Sequence, residues 1–197
     1  AIGDRYSGSI VWVGRAEGAN IRLLESRSQW PEPLTLRVWF DGETHEVKTR
    51  LHGVHLTLPA LCALGVAVAA SVPFAMAAEA VGQAEASYAR MQIEAGADGV
   101  VFVRDDWKAP EWSFAAPLQF MRDAHARRKL VVIGSISDSP RSPSKRYAYA
   151  ARQALEVADV VLLVGVDARG ALKAELGRDR GALHAFVQIR EAAEFLR

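Results

Sequence analysis

Val100–Ser113 reads VVFVRDDWKAPEWS, and the fold turns on how these residues are read. Val100, Val101, Phe102 and Val103 make a short, continuous apolar run, mostly β-branched, as in a strand buried on both faces. Arg104, Asp105 and Asp106 follow at its carboxyl end, then a loop with Trp107, Lys108 and Pro110. Ser113 stands where an N-cap would open a helix reaching to about Arg127. A buried strand, a charged loop and a helix start form the arrangement in which open α/β sheets place ligands. The plain alternative for these residues is a solvated connection between a strand and a helix.

Downstream the pattern keeps alternating. A strand is expected at Lys129–Ile133, a Ser/Pro-rich loop at Gly134–Ser144 and a helix at Lys145–Ala158. Asp159–Val164 reads as the next strand, ending at Gly165. A short helix near Ala171–Gly177, a strand around Leu183–Gln188 and a last helix from Arg190 follow. Strands alternating with helices of this length imply βαβ units and a largely parallel, Rossmann-like sheet. Immediately upstream, Arg90–Ala95 is a candidate strand, and Gly96-Ala97-Asp98-Gly99 turns into Val100. Gly82–Ser87 is small and polar and reads as a linker, which separates a domain at 1–82 from one at 88–197.

The first of these domains reads as a smaller α+β segment. Ser9–Val13 and Asn20–Ser26 are candidate strands. Leu34, Leu36, Val38 and Phe40 alternate on one face, Asp41-Gly42 supplies the turn, and Thr44–Leu51 returns as its antiparallel partner. Leu56–Ala78 carries no charge and is long enough to span a bilayer. Pro59 near its start, the break at Ser71-Val72-Pro73, its alanine content and the lack of flanking Lys/Arg clusters argue instead for two packed helices. These are expected at Pro59–Ala70 and Pro73–Val81.

Composition removes several function classes. A formal charge of +1, with no basic stripe interleaved with aromatics, argues against a dedicated nucleic-acid binder. The single cysteine, Cys62, precludes an internal disulfide framework and fits a reducing, cytoplasmic compartment. Its place in an apolar helix predicts a buried thiol. No charged n-region followed by an apolar h-region opens the chain. There is no G-x-x-x-x-G-K-S/T phosphate loop, and no G-x-G-x-x-G follows a strand, which disfavours a dinucleotide oxidoreductase. The five histidines lack metal-helix spacing, and His52 and His55 read as polar loop residues. Asp105 and Asp106 are adjacent, so in a strand their side chains point opposite ways and do not form an acid–base pair.

Four segments, taken in order, resemble the Mur ligase family, the ATP-dependent enzymes that add amino acids to the cell-wall precursor. LHGVHLTLPALCALGVAVAASVPFAMAAEAV, from Leu51 to Val81, is similar to the family's G-x-H-N-x-x-N-A-L-A-A segment and the helix pair that closes the central domain. Tyr88-Ala89-Arg90-Met91-Gln92 resembles the G/H-R-M-E start of the C-terminal domain. DDWKAPEWS resembles the family's D-D-x-Y-N-A-N-P and D-S-K-A-T-N loops. Ala158-Asp159-Val160-Val161 with Gly165 resembles its A-D-x-V-x-x-V-G strand.

The departures are specific. Leu56 and Pro59 stand where the family carries asparagines close to the nucleotide, and neither offers a side-chain hydrogen bond. Ser137-Asp138-Ser139-Pro140-Arg141 mimics the D-N-P-R motif of one branch but precedes the strand that the family motif follows, so no substrate role is assigned to it. Gly165-Val166-Asp167 is closer to the branch that adds a D-Ala-D-Ala dipeptide.

The resemblance implies the tail of a central domain plus most of a Rossmann-like C-terminal domain lacking its last strand. The phosphate loop, magnesium-binding glutamate and carbamylated lysine of the family would all precede these residues. Such a chain would be part of an ATP-dependent amide ligase working through an acyl phosphate. It would supply the nucleotide-capping and amino-acid-binding domain, with ATP and Mg as cofactors of the whole enzyme and no Mg ligand identified here. The implied nucleotide-binding residues are Arg90 near the phosphates, Asp106 towards the ribose and Lys108, with no catalytic residue assigned. The partners expected are a nucleotide and a small amino acid or dipeptide, with no membrane span. A non-catalytic binding or scaffolding module derived from such a ligase is the alternative.

Overall fold

The computed structural model describes residues 7–174 and 181–196, and the chain divides into two compact units, Ala1–Ala86 and Ser87–Arg197.

In the first unit, strands β1 (Val13–Gly14), β2 (Ile21–Gln29), β3 (Glu32–Phe40) and β4 (Glu43–Lys48) form one sheet in that order. β1 runs parallel to β2, and the other pairs are antiparallel. The expected strand at Ser9–Val13 thus contracts to its last residue. Asp41 and Gly42, at φ 49° and 87°, make the two-residue turn between β3 and β4, where left-handed backbone matches the strand twist. Leu34, Leu36 and Val38 are buried, as their alternation requires, while Phe40 is half-buried and stacks on Phe74 at 4.6 Å.

The uncharged stretch folds as two helices, α1 (Thr57–Ala69) and α2 (Phe74–Gln83), separated at Ser71–Pro73. Among the described residues no helix is long and apolar enough to cross a membrane. Ala60, Leu61 and Leu64 of α1 and Phe74 and Ala77 of α2 close the core over Ile21, Leu23, Leu36 and Val47. Two sequence expectations are corrected here. Cys62 is exposed: it lies on the side of α1 turned away from that core, together with Leu58 and Val66, so an apolar neighbourhood in sequence does not bury it. Gly82 belongs to α2 and not to a linker; a Cβ there would come within 2.9 Å of the Lys48 carbonyl oxygen, so the glycine allows the helix to approach β4 closely.

Among the described residues the second unit contains two sheets. β5 (Gln92–Ala95) and β6 (Val101–Arg104) form an antiparallel pair, and β7 (Leu130–Ile133), β8 (Val160–Val164) and β9 (Leu183–Phe186) form a parallel sheet in that order. Helices α3 (Ala115–Asp123), α4 (Pro143–Leu155), α5 (Ala168–Ala174) and α6 (Ile189–Phe195) alternate with the later strands. Ala148, Ala151 and Ala154 of α4 and Ala168 and Ala171 of α5 pack on one face of the parallel sheet, and Ala192 of α6 packs with Val160 and Leu162 on the other. Alanines at these positions let the helices lie close to the strands. α6 opens on a capping box: Glu191 accepts the Val187 and Gln188 amides at 3.0 Å, and these bonds hold its carboxyl below the usual range. The expected end of α5 near Gly177 falls outside the described residues.

Val100–Ser113 differs from its sequence expectation in two respects. Val101–Arg104 is an arm of a hairpin and not a doubly buried strand, with Val101 40% and Phe102 54% exposed. The cause is the turn before it: Asp98 and Gly99 sit at φ 55° and 77° and reverse the chain onto Gln92–Ala95. Ser113 does not cap α3. It ends a 3-10 turn (Glu111–Ser113) and donates its hydroxyl to the Pro110 carbonyl at 2.9 Å, and the helix stops at Asp123, short of Arg127.

Leu36→Ala in the first unit and Leu162→Ala in the second each remove a side chain with no solvent exposure. Each is expected to lower stability by about 2–5 kcal/mol, the cost of lost burial plus a residual cavity, read by urea unfolding.

Candidate functional site

The chain enters the site through Ala89-Arg90-Met91. Ala89 and Met91 are buried, at 1% and 2% exposure, and both lie at φ 51°. Left-handed backbone disfavours residues that carry a Cβ by about 1–2 kcal/mol each. Two hydrogen bonds oppose that cost: the Ala89 amide donates to Gln92 Oε1 at 2.9 Å, and the Met91 amide to Asp105 Oδ1 at 3.3 Å. Between these two inward anchors Arg90 projects outward, and its Nη1 donates to the Lys108 carbonyl at 3.4 Å. The Trp107 amide donates to the Ala89 carbonyl at 3.2 Å. Arg90 and the loop after β6 are therefore held together.

Asp106 is gripped from the end of β6. Arg104 Nε meets its Oδ1 and Arg104 Nη2 its Oδ2, both at 3.1 Å, a planar fork on a planar carboxylate. The far edge of the guanidinium donates to Glu94 Oε1 at 3.0 Å and to the Tyr88 hydroxyl at 3.3 Å, and its centre lies 4.9 Å from the Tyr88 ring. Asp106 first, then Tyr88 and Glu94, push the Arg104 pKa up, so the group stays charged. Tyr88 and Trp107 meet edge to face at 6.0 Å, and both remain more than half exposed.

Lys108 reaches across to the loop after β7, where its Nζ lies 3.0 Å from Asp138 Oδ2. That loop runs beside the one after β6: Ser137 N donates to the Ala109 carbonyl at 2.9 Å, and Glu111 N to the Ser137 carbonyl at 3.1 Å. Glu111 also accepts from Ser139 and pairs with Arg141, whose guanidinium stacks 3.8 Å from the Tyr149 ring centre. Asp138 and Arg141, the residues that mimic the D-N-P-R motif, thus tie the two loops together. Beside them lies a cavity of about 310 Å³, bordered by Trp112, Pro140, Tyr149 and Gln153.

The structure therefore brings Arg90, Asp106 and Lys108 to one end of the second unit. Arg104, which sequence reasoning passed over, is the hub of the cluster. Its signal was the Asp98-Gly99 turn, since the hairpin register places Glu94 diagonally across from Arg104 on the same face. Among the described residues no group of three or more His, Cys, Asp or Glu could hold a metal ion. In the first unit, His52 lies 5.2 Å from the Trp30 ring, and burial lowers its pKa; Leu56 packs against the core.

No family model matches the sequence, and neither does any curated protein. Solved structures do match. A crystal structure of MurF from Acinetobacter baumannii superposes with a TM-score of 0.79 at 23% identity, over 92% of this chain and 39% of that one. The fold is that of the Mur ligases. UDP-N-acetylmuramate-alanine ligase MurC from Thermotoga maritima matches with a TM-score of 0.68 at 21% identity, over 93% of this chain and 41% of that one. Folylpolyglutamate synthase from the same organism matches with a TM-score of 0.57 at 14% identity, over 84% and 43%. The chain thus spans about two fifths of the Mur ligase structures it matches.

Lys108 holds the Asp138 carboxyl below its ordinary range by hydrogen bond and charge. A depressed folded-state pKa gives stability that is present above the unfolded value and is lost as pH falls through the folded one. Lys108→Met is expected to move the Asp138 midpoint up towards the ordinary carboxylate value, followed by carboxyl-carbon NMR. An unchanged midpoint would show that the pair does not persist in solution.

Proposed function

We propose that this chain supplies the nucleotide-capping and amino-acid-binding part of an ATP-dependent amide-bond-forming ligase that acts on a cell-wall precursor or a similar carboxylate. One observation carries the reading: within a Mur ligase fold, two cations and a carboxylate converge on the loop after β6. The donor set suits a nucleotide. Arg90 is an exposed cation that, among the described residues, touches a carbonyl and no carboxylate, so its charge is available to phosphate oxygens. After the Arg104 fork each Asp106 oxygen keeps one outward lone pair, able to accept a hydroxyl hydrogen of a sugar.

When bound, ATP supplies a phosphoryl group to the substrate carboxylate; an amine then displaces phosphate and the amide forms. The part of this chain in the first step is electrostatic. Arg90, held by its buried neighbours, places positive charge where negative charge spreads over the transferring oxygens. Lys108 joins it only by giving up Asp138. Among the described residues no group of three or more His, Cys, Asp or Glu side chains is placed to hold magnesium, and no step is assigned to it. That Lys108 is already paired, and that Leu56 and Pro59 replace nucleotide-facing asparagines, favours the second reading, a non-catalytic binding module.

The two readings separate by kinetics in the ligase that contains this chain. Arg90→Ala is expected to slow phosphoryl transfer by roughly a hundredfold, about 3 kcal/mol, with little change in ATP affinity. Asp106→Ala is expected to raise the ATP KM with a smaller effect on kcat, because ribose contacts are the same in ground and transition states. Wild-type ligase kinetics in both variants would overturn the roles given to Arg90 and Asp106 and make the loop after β6 an ordinary solvated connection, while absence of any ligase activity would favour the binding module.

The chain alone, without a phosphate loop, is expected to bind ATP no tighter than about millimolar, since such a loop supplies the strongest anion contacts. Low-micromolar binding by calorimetry would contradict this.

A further inference from the structure

We infer that a cavity at the amino ends of β7 and β8 is a separate binding site for a small oxyanion, one that carries phosphate or carboxylate groups. It does not depend on the nucleotide reading. Lys129 immediately precedes β7 and Asp159 immediately precedes β8, whereas Lys108 meets Asp138 in the loop that leaves the carboxyl end of β7. A four-residue strand, about 13 Å long, separates the two ends. The cavity has a volume of about 350 Å³, and Arg122, Arg127 and Lys129 border it together with Glu156 and Asp159. Small-ligand sites begin at about 300 Å³. Leu155 and Ala158 add apolar wall, which suits a compact organic body behind the anionic groups.

The charges around this cavity do not cancel. Arg122 Nη2 donates to Glu156 Oε2 at 3.4 Å, and the Lys129 amide donates to Asp159 Oδ2 at 2.7 Å, so each carboxylate is already engaged. The cations keep donors to spare. Of its five N–H groups, Arg122 uses one on Gln119 and one on Glu156. Lys129 uses one of three, on the Arg122 carbonyl at 3.0 Å, and so caps the last turn of α3. That capping accounts for Lys129 but not for Arg127 and Arg128. These two lie beyond the helix, are exposed, and among the described residues meet no carboxylate. Adjacent guanidiniums without counter-ions repel each other, and an oxyanion held by Arg127 relieves that repulsion.

The test is an NMR titration of the 197-residue chain with inorganic phosphate and, separately, with citrate, read at the Ala126 and Val157 amides. Sodium chloride holds the ionic strength constant. Saturable shifts are expected, with half-saturation in the low-millimolar range because water screens the cations. Saturation by phosphate alone identifies a phosphate ligand, by citrate alone a carboxylate one, and by both the shared chemistry; each supports the site. Arg127→Gln replaces an exposed side chain, keeps the fold, and is expected to weaken binding about fivefold through loss of a charge-assisted hydrogen bond. Arg128→Gln, whose side chain does not border the cavity, should cost less than about twofold. Equal losses in the two variants would mean diffuse attraction to a basic surface and would overturn the site. So would shifts that stay linear in concentration, shifts that chloride alone reproduces, or no shift at all. Shifts confined to the Trp107 amide would place the anion at the Arg90 cluster, which overturns this inference and leaves the nucleotide reading standing.

Discussion

The backbone of Ser137 bonds to the chain on either side of Pro110, and the site depends on that pairing. Its amide reaches the Ala109 carbonyl, and its carbonyl takes the Glu111 amide. In a parallel bridge the pairing residue bonds to the two neighbours of its partner, so the N–H that Pro110 lacks is not called on. These bonds join the loop after β6 to the loop after β7, elements that belong to different sheets. The side-chain links between the loops, Lys108 to Asp138 and Glu111 to Arg141, form because the backbones already run side by side.

Little of the charge in this region serves stability. Lys108, Asp138 and Asp106 are exposed, and ion pairs in that setting are screened by water and contribute little. What they provide is direction. Arg104 is aimed by Glu94 and Tyr88 and in turn aims Asp106, while Arg90 is aimed by two buried neighbours in left-handed backbone. Backbone held in a disfavoured region by burial and hydrogen bonds is a feature of sites where the position of a side chain matters more than the cost of holding it. Stability comes from elsewhere: β8, buried along most of its length between helices on both faces, and the alternating face of β3.

The order of elements in the second unit was legible from β7 onward. Apolar runs such as Val160–Val164, followed by helices of sufficient length, leave few topologies other than βαβ. The two Asp-Gly turns show where legibility stopped. Asp41-Gly42 follows a clear alternation and reads as a hairpin turn, which is what the structure has. Asp98-Gly99 followed a short, mixed segment, and the four apolar residues after it fit a buried strand and a hairpin arm equally well. Periodicity cannot separate these two for so short a run, because burial is decided by what packs against the strand.

The sequence by itself determined the division into an antiparallel segment with two helices and a parallel α/β segment, since hydrophobic period, proline breaks and turn pairs are local properties. It also determined that Asp106 and Lys108 follow the strand β6 closely, as chain neighbours must, whereas Arg90 is brought beside them by hydrogen bonds between segments distant in sequence. Only the tertiary structure decided that Cys62 is exposed, that Gly82 is a packing residue, and that Arg104 is the hub of the site. Each of these depends on which face of an element meets another, and that face is chosen by contacts distant in sequence. Arg104 reaches Tyr88, Glu94 and Asp106 together only because a turn folds β5 back along β6.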